Sequence, residues 1–292
     1  MSDSGFEILK VKVTASSTDF IYNYTGKVTK AILLTEVPEL QTVFRPVKGF
    51  FKIIRVSPLI KDGSVTTPFF EAKRINGKIV YELRPLLLSG NYTFEVGSTS
   101  DNVSRIFSKF NKVQGIRTRL KFENTVIEYT IEDVAVESPN MALGKYVIIK
   151  SISPALLPTP YVATQQVRRF TITPAILLWV PYLISQQTYT VTEDLVYKAV
   201  KLLETSFVEH YSSLAKVMHV LYDGRREPAL HFRAKYIVLC SDQERMETLA
   251  RILMVARTLG VGASRANGFG TVQILQKKIK KELNYRDSKS PF

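Results

Sequence analysis

The sequence predicts an α+β chain in which one order of elements occurs twice. Its 292 residues suit about two domains at the usual ~150 residues each. Short runs of alternating apolar and polar residues are interleaved with apolar stripes of helical period. The order strand, helix, strands, helix, strand can be traced in both halves.

In the first half, Leu9-Lys10-Val11-Lys12-Val13-Thr14 alternates and reads as a half-buried strand. Thr25 offers an N-cap to a helix on which Val28, Ala31, Ile32 and Thr35 recur until Pro38. Residues 51–56 form a strand closed by Ser57-Pro58, and Asn76-Gly77 signals a hairpin turn into Lys78-Ile79-Val80-Tyr81. A strand follows at 91–96. Asp101 then caps a helix with Val103, Ile106, Phe107 and Phe110 on one face. Strands at 119–122 and 126–131 flank Glu123-Asn124. This order is a split βαβ, the ferredoxin-like arrangement also found in RNA-recognition (RRM-like) domains. Residues 139–144 are the expected boundary, giving units 1–139 and 144–292.

The second half repeats the pattern as βαββαβ. A strand at 146–152 precedes a proline-punctuated insertion of irregular strands at 154–181. A helix at 193–210 places Val196, Ala199, Val200, Leu203 and Phe207 on one face. Strands at 216–222 and 231–240 are joined through Asp223-Gly224, which carries Arg225 and Arg226. A helix at 243–259, a glycine-rich loop at 260–270 and a strand at 271–275 complete the unit. Residues 277–281 are left either as a final element or as a basic tail.

Charge bounds the function. Forty Lys and Arg against 26 Asp and Glu give a formal net charge of +14, which points to a polyanionic partner. The most apolar run, 170–185, is too short to span a bilayer and contains Pro174 and Pro181, so no membrane partner is expected. The first residues lack the features of a signal peptide, and Cys240 is the only cysteine; a cytoplasmic location is expected. Three histidines, His210, His219 and His231, show no metal-ligand spacing, so neither a metal nor another cofactor is expected.

The loop Gly260-Val261-Gly262-Ala263-Ser264-Arg265-Ala266-Asn267-Gly268-Phe269-Gly270 has the composition of an anion cradle, in which free N–H groups would face a phosphate. It lacks the Walker lysine, and it runs from helix to strand, the reverse of a nucleotide-binding loop. A plain helix-to-strand turn is the alternative. Lys27 and Lys30 share a helix face at i, i+3, and Lys52 lies on the next strand. His231, Arg233 and Lys235 share one face of a strand whose other face carries Phe232, Ala234 and Tyr236. Solvated faces are the plain alternative for both groups.

The helix, Gly260-Val261-Gly262, Ser264-Arg265 and Gly268-Phe269-Gly270 together resemble the C-terminal glycine-rich loop of the repeat-associated RNA-binding (RAMP) superfamily. Tyr24-Thr25-Gly26-Lys27, Ser57-Pro58-Leu59 and Gly90-Asn91-Tyr92-Thr93-Phe94 narrow the resemblance to its CRISPR repeat-RNA processing endoribonucleases. The resemblance covers nearly the whole chain. It implies two tandem ferredoxin-like domains and metal-independent cleavage of precursor RNA within each repeat. A 2′-OH would attack the adjacent phosphate, leaving a 2′,3′-cyclic phosphate, a 5′-OH and mature crRNA.

Many members carry a base histidine around the first helix, whereas this chain has none before His210. The roles therefore pass to cations. Lys27 and Lys30 would orient or deprotonate the 2′-OH, and Lys52 and Arg233 would stabilise the pentacovalent phosphate. Gly260, Gly262, Ser264, Arg265, Asn267, Gly268 and Gly270 would hold the RNA backbone, with His231 and Lys235 as further contacts. Arg225 and Arg226 would meet phosphates at the base of a stem. A binding-only subunit of a CRISPR effector complex is the alternative, and an unrelated single-strand binder a third. A homodimer, which would enlarge the basic surface, is left open.

Overall fold

Alternation makes β1 (Phe6–Ser17) the spine of the first half. Leu9, Val11, Val13 and Ala15 are buried while Lys10, Lys12 and Thr14 face out. The computed structural model describes residues 5–45, 51–159, 168–188 and 191–277. After β1 come α1 (Gly26–Glu36), β2 (Ile54–Val56), the hairpin of β3 (Phe69–Ile75) and β4 (Lys78–Arg84), and β5 (Ser89–Thr99). Then follow α2 (Ser100–Lys112), β6 (Arg117–Phe122) and β7 (Thr125–Glu137). The sheet runs β2-β5-β1-β7-β6 with every pair antiparallel.

The second half contains β8 (Tyr146–Ser151), α3 (Pro174–Ser185), α4 (Glu193–Ser206), β9 (Phe207–Glu209), β10 (Leu214–Tyr222), β11 (Arg225–Val238), α5 (Gln243–Leu259) and β12 (Val272–Lys277). Its sheet runs β12-β8-β11, and both β9 and β10 pair with β11, again antiparallel throughout. Each sheet thus places its first strand inside, β1 between β5 and β7 and β8 between β11 and β12. The edge strand β6 and the β3–β4 hairpin are additions peculiar to the first half. The basic stretch after Lys277 lies outside the described residues.

Several sequence expectations change. Residues 154–181 do not form only irregular strands, because α3 begins at Pro174. Pro174 suits a first helical turn, where its missing N–H is not needed, and nearly every residue of α3 is buried in the second core. A helix apolar all round shows no stripe, so its period was invisible. The helix expected at 193–210 stops at Ser206, where Phe207–Glu209 joins β11 as an edge strand. Thr25 does not cap α1 with its side chain; its hydroxyl donates instead to the Thr66 carbonyl at 2.7 Å. The strand expected at 51–56 is regular only from Ile54.

Two apolar cores form, one per half, and a small third cluster of Tyr24, Leu156, Val220, Ala229 and Phe269 lies between them. Glycine makes this join tight. A Cβ on Gly97 of β5 would sit 1.8 Å from the Thr258 carbonyl of α5, and one on Gly26 would sit 2.1 Å from the Asn267 carbonyl. Beside Gly97, the fully buried Arg55 donates to the Thr258 carbonyl at 2.6 Å and to Glu95 at 3.0 Å. Arg257 of α5 grips the same Glu95 at 2.9 and 3.1 Å and reaches Glu137 at 3.2 Å. Burial pushes the Glu95 carboxyl up, but the two guanidinium groups outweigh it and hold it down at about 2.

Candidate functional site

The start of α1 meets the β10–β11 turn and the glycine-rich loop. Lys27 and Lys30, one turn apart, both point at this junction. The Lys27 ammonium lies 2.6 Å from Asp223 and 5.2 Å from the centre of the Tyr222 ring. The Lys30 ammonium donates to Asn267 Oδ1 at 3.1 Å and lies 4.8 Å from the centre of the Phe44 ring. Asn267 Nδ2 in turn donates to the Tyr222 hydroxyl at 2.7 Å. Burial, then Lys52 and Lys27, hold the Lys30 amine below the usual lysine range, against a smaller opposing pull from Asp223. Burial also lowers Lys52. The three predicted lysines therefore form one group, and a half-buried amine of lowered pKa sits among its like charges.

The loop itself serves another purpose than expected. Its N–H groups were expected to face a ligand, but many are used internally. Val261 N–H donates to the Gly270 carbonyl, Ala263 N–H to that of Leu156, Asn267 N–H to that of Ser264, Gly268 N–H to that of Arg265, and Gly270 N–H to that of Pro154. Gly260, Gly262, Gly268 and Gly270 are buried, all at positive φ, and backbone atoms stand where their Cβ atoms would be. These glycines permit close packing of chain on chain. Arg265, expected on the RNA backbone, is buried; it donates to the Leu259 carbonyl at 2.8 Å and the Lys52 carbonyl at 3.1 Å. Burial, with Arg55 nearby, lowers it to about 10. Arg265 thus acts from inside by holding the backbone that carries Lys52. Of the loop, Ala263, Ser264 and Asn267 retain partial exposure, and Asn267 joins the lysine group.

Arg233 is not brought to this group. It sits on β11 opposite Lys150 and Leu214, on the order of 25 Å from Arg225 at ~3.3 Å per strand residue. Lys150, Lys216, His231, Arg233 and Lys235 instead share the outer face of the second sheet. His231 Nδ1 is 2.9 Å from the Ser151 hydroxyl, and burial with Lys216 and Lys150 holds its imidazole below the ordinary histidine value. This face borders a cavity of about 510 Å³ whose other wall includes Lys10, Glu95 and Arg257. Arg225 is exposed beside the turn. Arg226 stacks on Tyr81 with its guanidinium carbon 3.9 Å from the ring centre, docking the β3–β4 hairpin onto the second half.

Sequence reasoning missed Tyr222, Asp223, Lys150 and Lys216. Tyr222-Asp223 was visible only as the lead-in to a turn, and nothing local says that a turn faces a distant helix.

The architecture has counterparts among solved structures. A Cas6 product complex superposes with a TM-score of 0.65 at 12% identity, covering 92% of this chain and all (100%) of that one. The fold is that of Cas6. A Thermus thermophilus Cas6 gives 0.58 at 14% identity over 94% and 100% of the two chains. A Cas6-related protein from Pyrococcus furiosus gives 0.57 at 12% over 94% and 100%. No family model and no curated relative matches the sequence. Among the described residues, no helix is long and apolar enough to cross a membrane.

Proposed function

We propose that this chain is a metal-independent endoribonuclease that cuts CRISPR precursor RNA within its repeats, acting in the cytoplasm. Two ferredoxin-like units, 1–139 and 144–292, would form the platform. The observation that carries the proposal is Lys30, a half-buried amine of lowered pKa held by Asn267 among Lys27 and Lys52, on a Cas6 fold.

Neutral Lys30 accepts the proton of the 2′-OH as its oxygen bonds to phosphorus. The phosphorus–O5′ bond breaks, and the Lys52 ammonium stabilises the phosphorane and supplies a proton to the departing 5′ oxygen. Lys27 is fixed by Asp223 and orients the phosphate. Arg225 contacts a neighbouring phosphate, while Arg233, Lys235 and His231 line the strand's path across the second sheet. A positioned acid or base contributes roughly 10²–10⁴-fold, and charge placed where it develops adds to that.

The test is incubation of repeat RNA with the protein in EDTA, with analysis of the product ends. A 2′,3′-cyclic phosphate and a 5′-OH are expected. Intact RNA, or a requirement for a divalent ion, overturns the proposal. The absence of a histidine from the first half favours a second reading, an RNA-binding subunit of a CRISPR effector complex, which predicts binding without product.

A further inference from the structure

The lysine group leaves one edge of the second half unexplained. His210-Tyr211-Ser212-Ser213 joins β9 to β10, and the turn is pinned to β11. His210 N–H donates to the Lys235 carbonyl at 2.8 Å, and Lys235 N–H donates to the Ser213 hydroxyl at 2.9 Å. Ser212 N–H donates to His210 Nδ1 at 3.2 Å and so fixes the imidazole. Held this way, the Tyr211 side chain is 95% exposed, with its ring centre 4.2 Å from that of His210.

Behind this pair stands Tyr146, whose ring centre is 4.7 Å from the Lys235 ammonium and 5.7 Å from that of Lys145. From here the same face continues along β11 through Lys235, Arg233 and His231, about 13 Å at ~3.3 Å per residue. Lys150 lies beside Arg233, and Lys216 beside His231. Between Tyr211 and His231 this face carries no carboxylate from β8, β10 or β11. Glu209 pairs with Tyr236, whose ring is buried, and so belongs to the opposite face. Leu214 and Leu239 are exposed nearby, but a row of cations without carboxylates suits a polyanion better than a protein.

We propose that Tyr211, backed by His210, is a base-stacking platform for single-stranded RNA, and that the cations of β8, β10 and β11 carry its backbone from there toward the cavity. Every base has a π-face, so such a platform tolerates any sequence, while spaced cations meet the phosphates. This inference rests on the RNA-binding part of the proposed function and not on cleavage.

The experiment measures binding of a short oligouridylate, and of an abasic oligomer of equal length, by fluorescence anisotropy. Wild-type, Tyr211→Ala and Tyr211→Phe proteins are compared. Tyr211→Ala is expected to bind oligouridylate about tenfold more weakly, within the range of one lost stacking contact, and Tyr211→Phe as wild type does. The abasic oligomer should bind all three proteins alike. Because the ring is exposed, the alanine variant should keep the wild-type unfolding midpoint. Undiminished oligouridylate binding by Tyr211→Ala overturns the proposal and gives the patch to a protein partner. Repeat RNA left uncut while oligouridylate binding stays sensitive to Tyr211 would overturn the nuclease reading alone.

Discussion

On the first sheet Lys10 lies 2.6 Å from Glu137, and Lys12 lies 2.9 Å from Asp133. On the second, Lys150, Lys216 and Arg233 form no ion pair among the described residues. The two sheets share their strand order yet present different fields. Exposed pairs such as the first sheet's are worth only ~0–1 kcal/mol to stability, so their main physical consequence is to cancel charge. The charges of Lys10 and Lys12 are thus matched by acids on the first platform, while those of Lys150, Lys216 and Arg233 are left available on the second. A charge count cannot show this, because it does not record which acid faces which base.

Five changes probe this contrast, beginning where the halves meet. Glu95→Gln leaves the buried Arg55 without a carboxylate and Arg257 with Glu137 alone, and should cost ~3–5 kcal/mol, read as a lowered denaturant midpoint. The same carboxyl sets an acid limit. Its folded pKa is depressed to about 2, so its contribution is complete above the unfolded value of 4.5 and is lost as pH falls from there toward 2. Acid titration of the variant should lack that step.

Lys30→Ala should slow repeat cleavage about 100-fold without moving the unfolding midpoint. Because the Lys30 pKa is lowered, the wild-type rate should rise with pH and level off below the ordinary lysine value. Wild-type cutting by this variant would remove Lys30 from the chemistry. Next in size, Lys216→Ala and Arg233→Ala should each weaken RNA binding across sequences and reduce the slope of log affinity against log salt by ~1. Smallest is Lys12→Ala, whose charge is already matched by Asp133; it should change affinity by less than ~2-fold. If Lys12→Ala weakens binding as much as Lys216→Ala, the contrast between the sheets fails.

Where a local rule suffices, the sequence was readable. Asn76-Gly77 and Asp223-Gly224 are turns in which the first residue takes positive φ, and both join antiparallel strands. The helix expected at 243–259 is α5 to the residue, with the Asp242 side chain accepting from Arg245 N–H at 2.7 Å. Lys27, Lys30 and Lys52 do converge, although no spacing rule carries Lys52 to the helix. What stayed hidden depends on distant partners. The glycine-rich loop has the composition of a cradle, and only the approach of Gly26, Leu156 and Val261 shows it to be a seam. Arg265 reads as a surface cation until its two carbonyl partners are seen. Arg233 alternates correctly on its strand, but its distance from the lysines depends on strand length, not on residue type.

The interlock has a consequence for biosynthesis. Ala266 packs into the apolar core of the first half, and the carbonyl that receives the buried Arg55 guanidinium belongs to Thr258. A nascent chain emerges from the ribosome N-terminus first, so the opening half stays unsealed until translation has passed both positions. A chain truncated upstream of them would leave Arg55 with Glu95 as its remaining partner and an apolar gap where Ala266 packs. Chaperone dependence during elongation, and poor recovery of the first half expressed alone, follow from where those two residues fall in the reading frame.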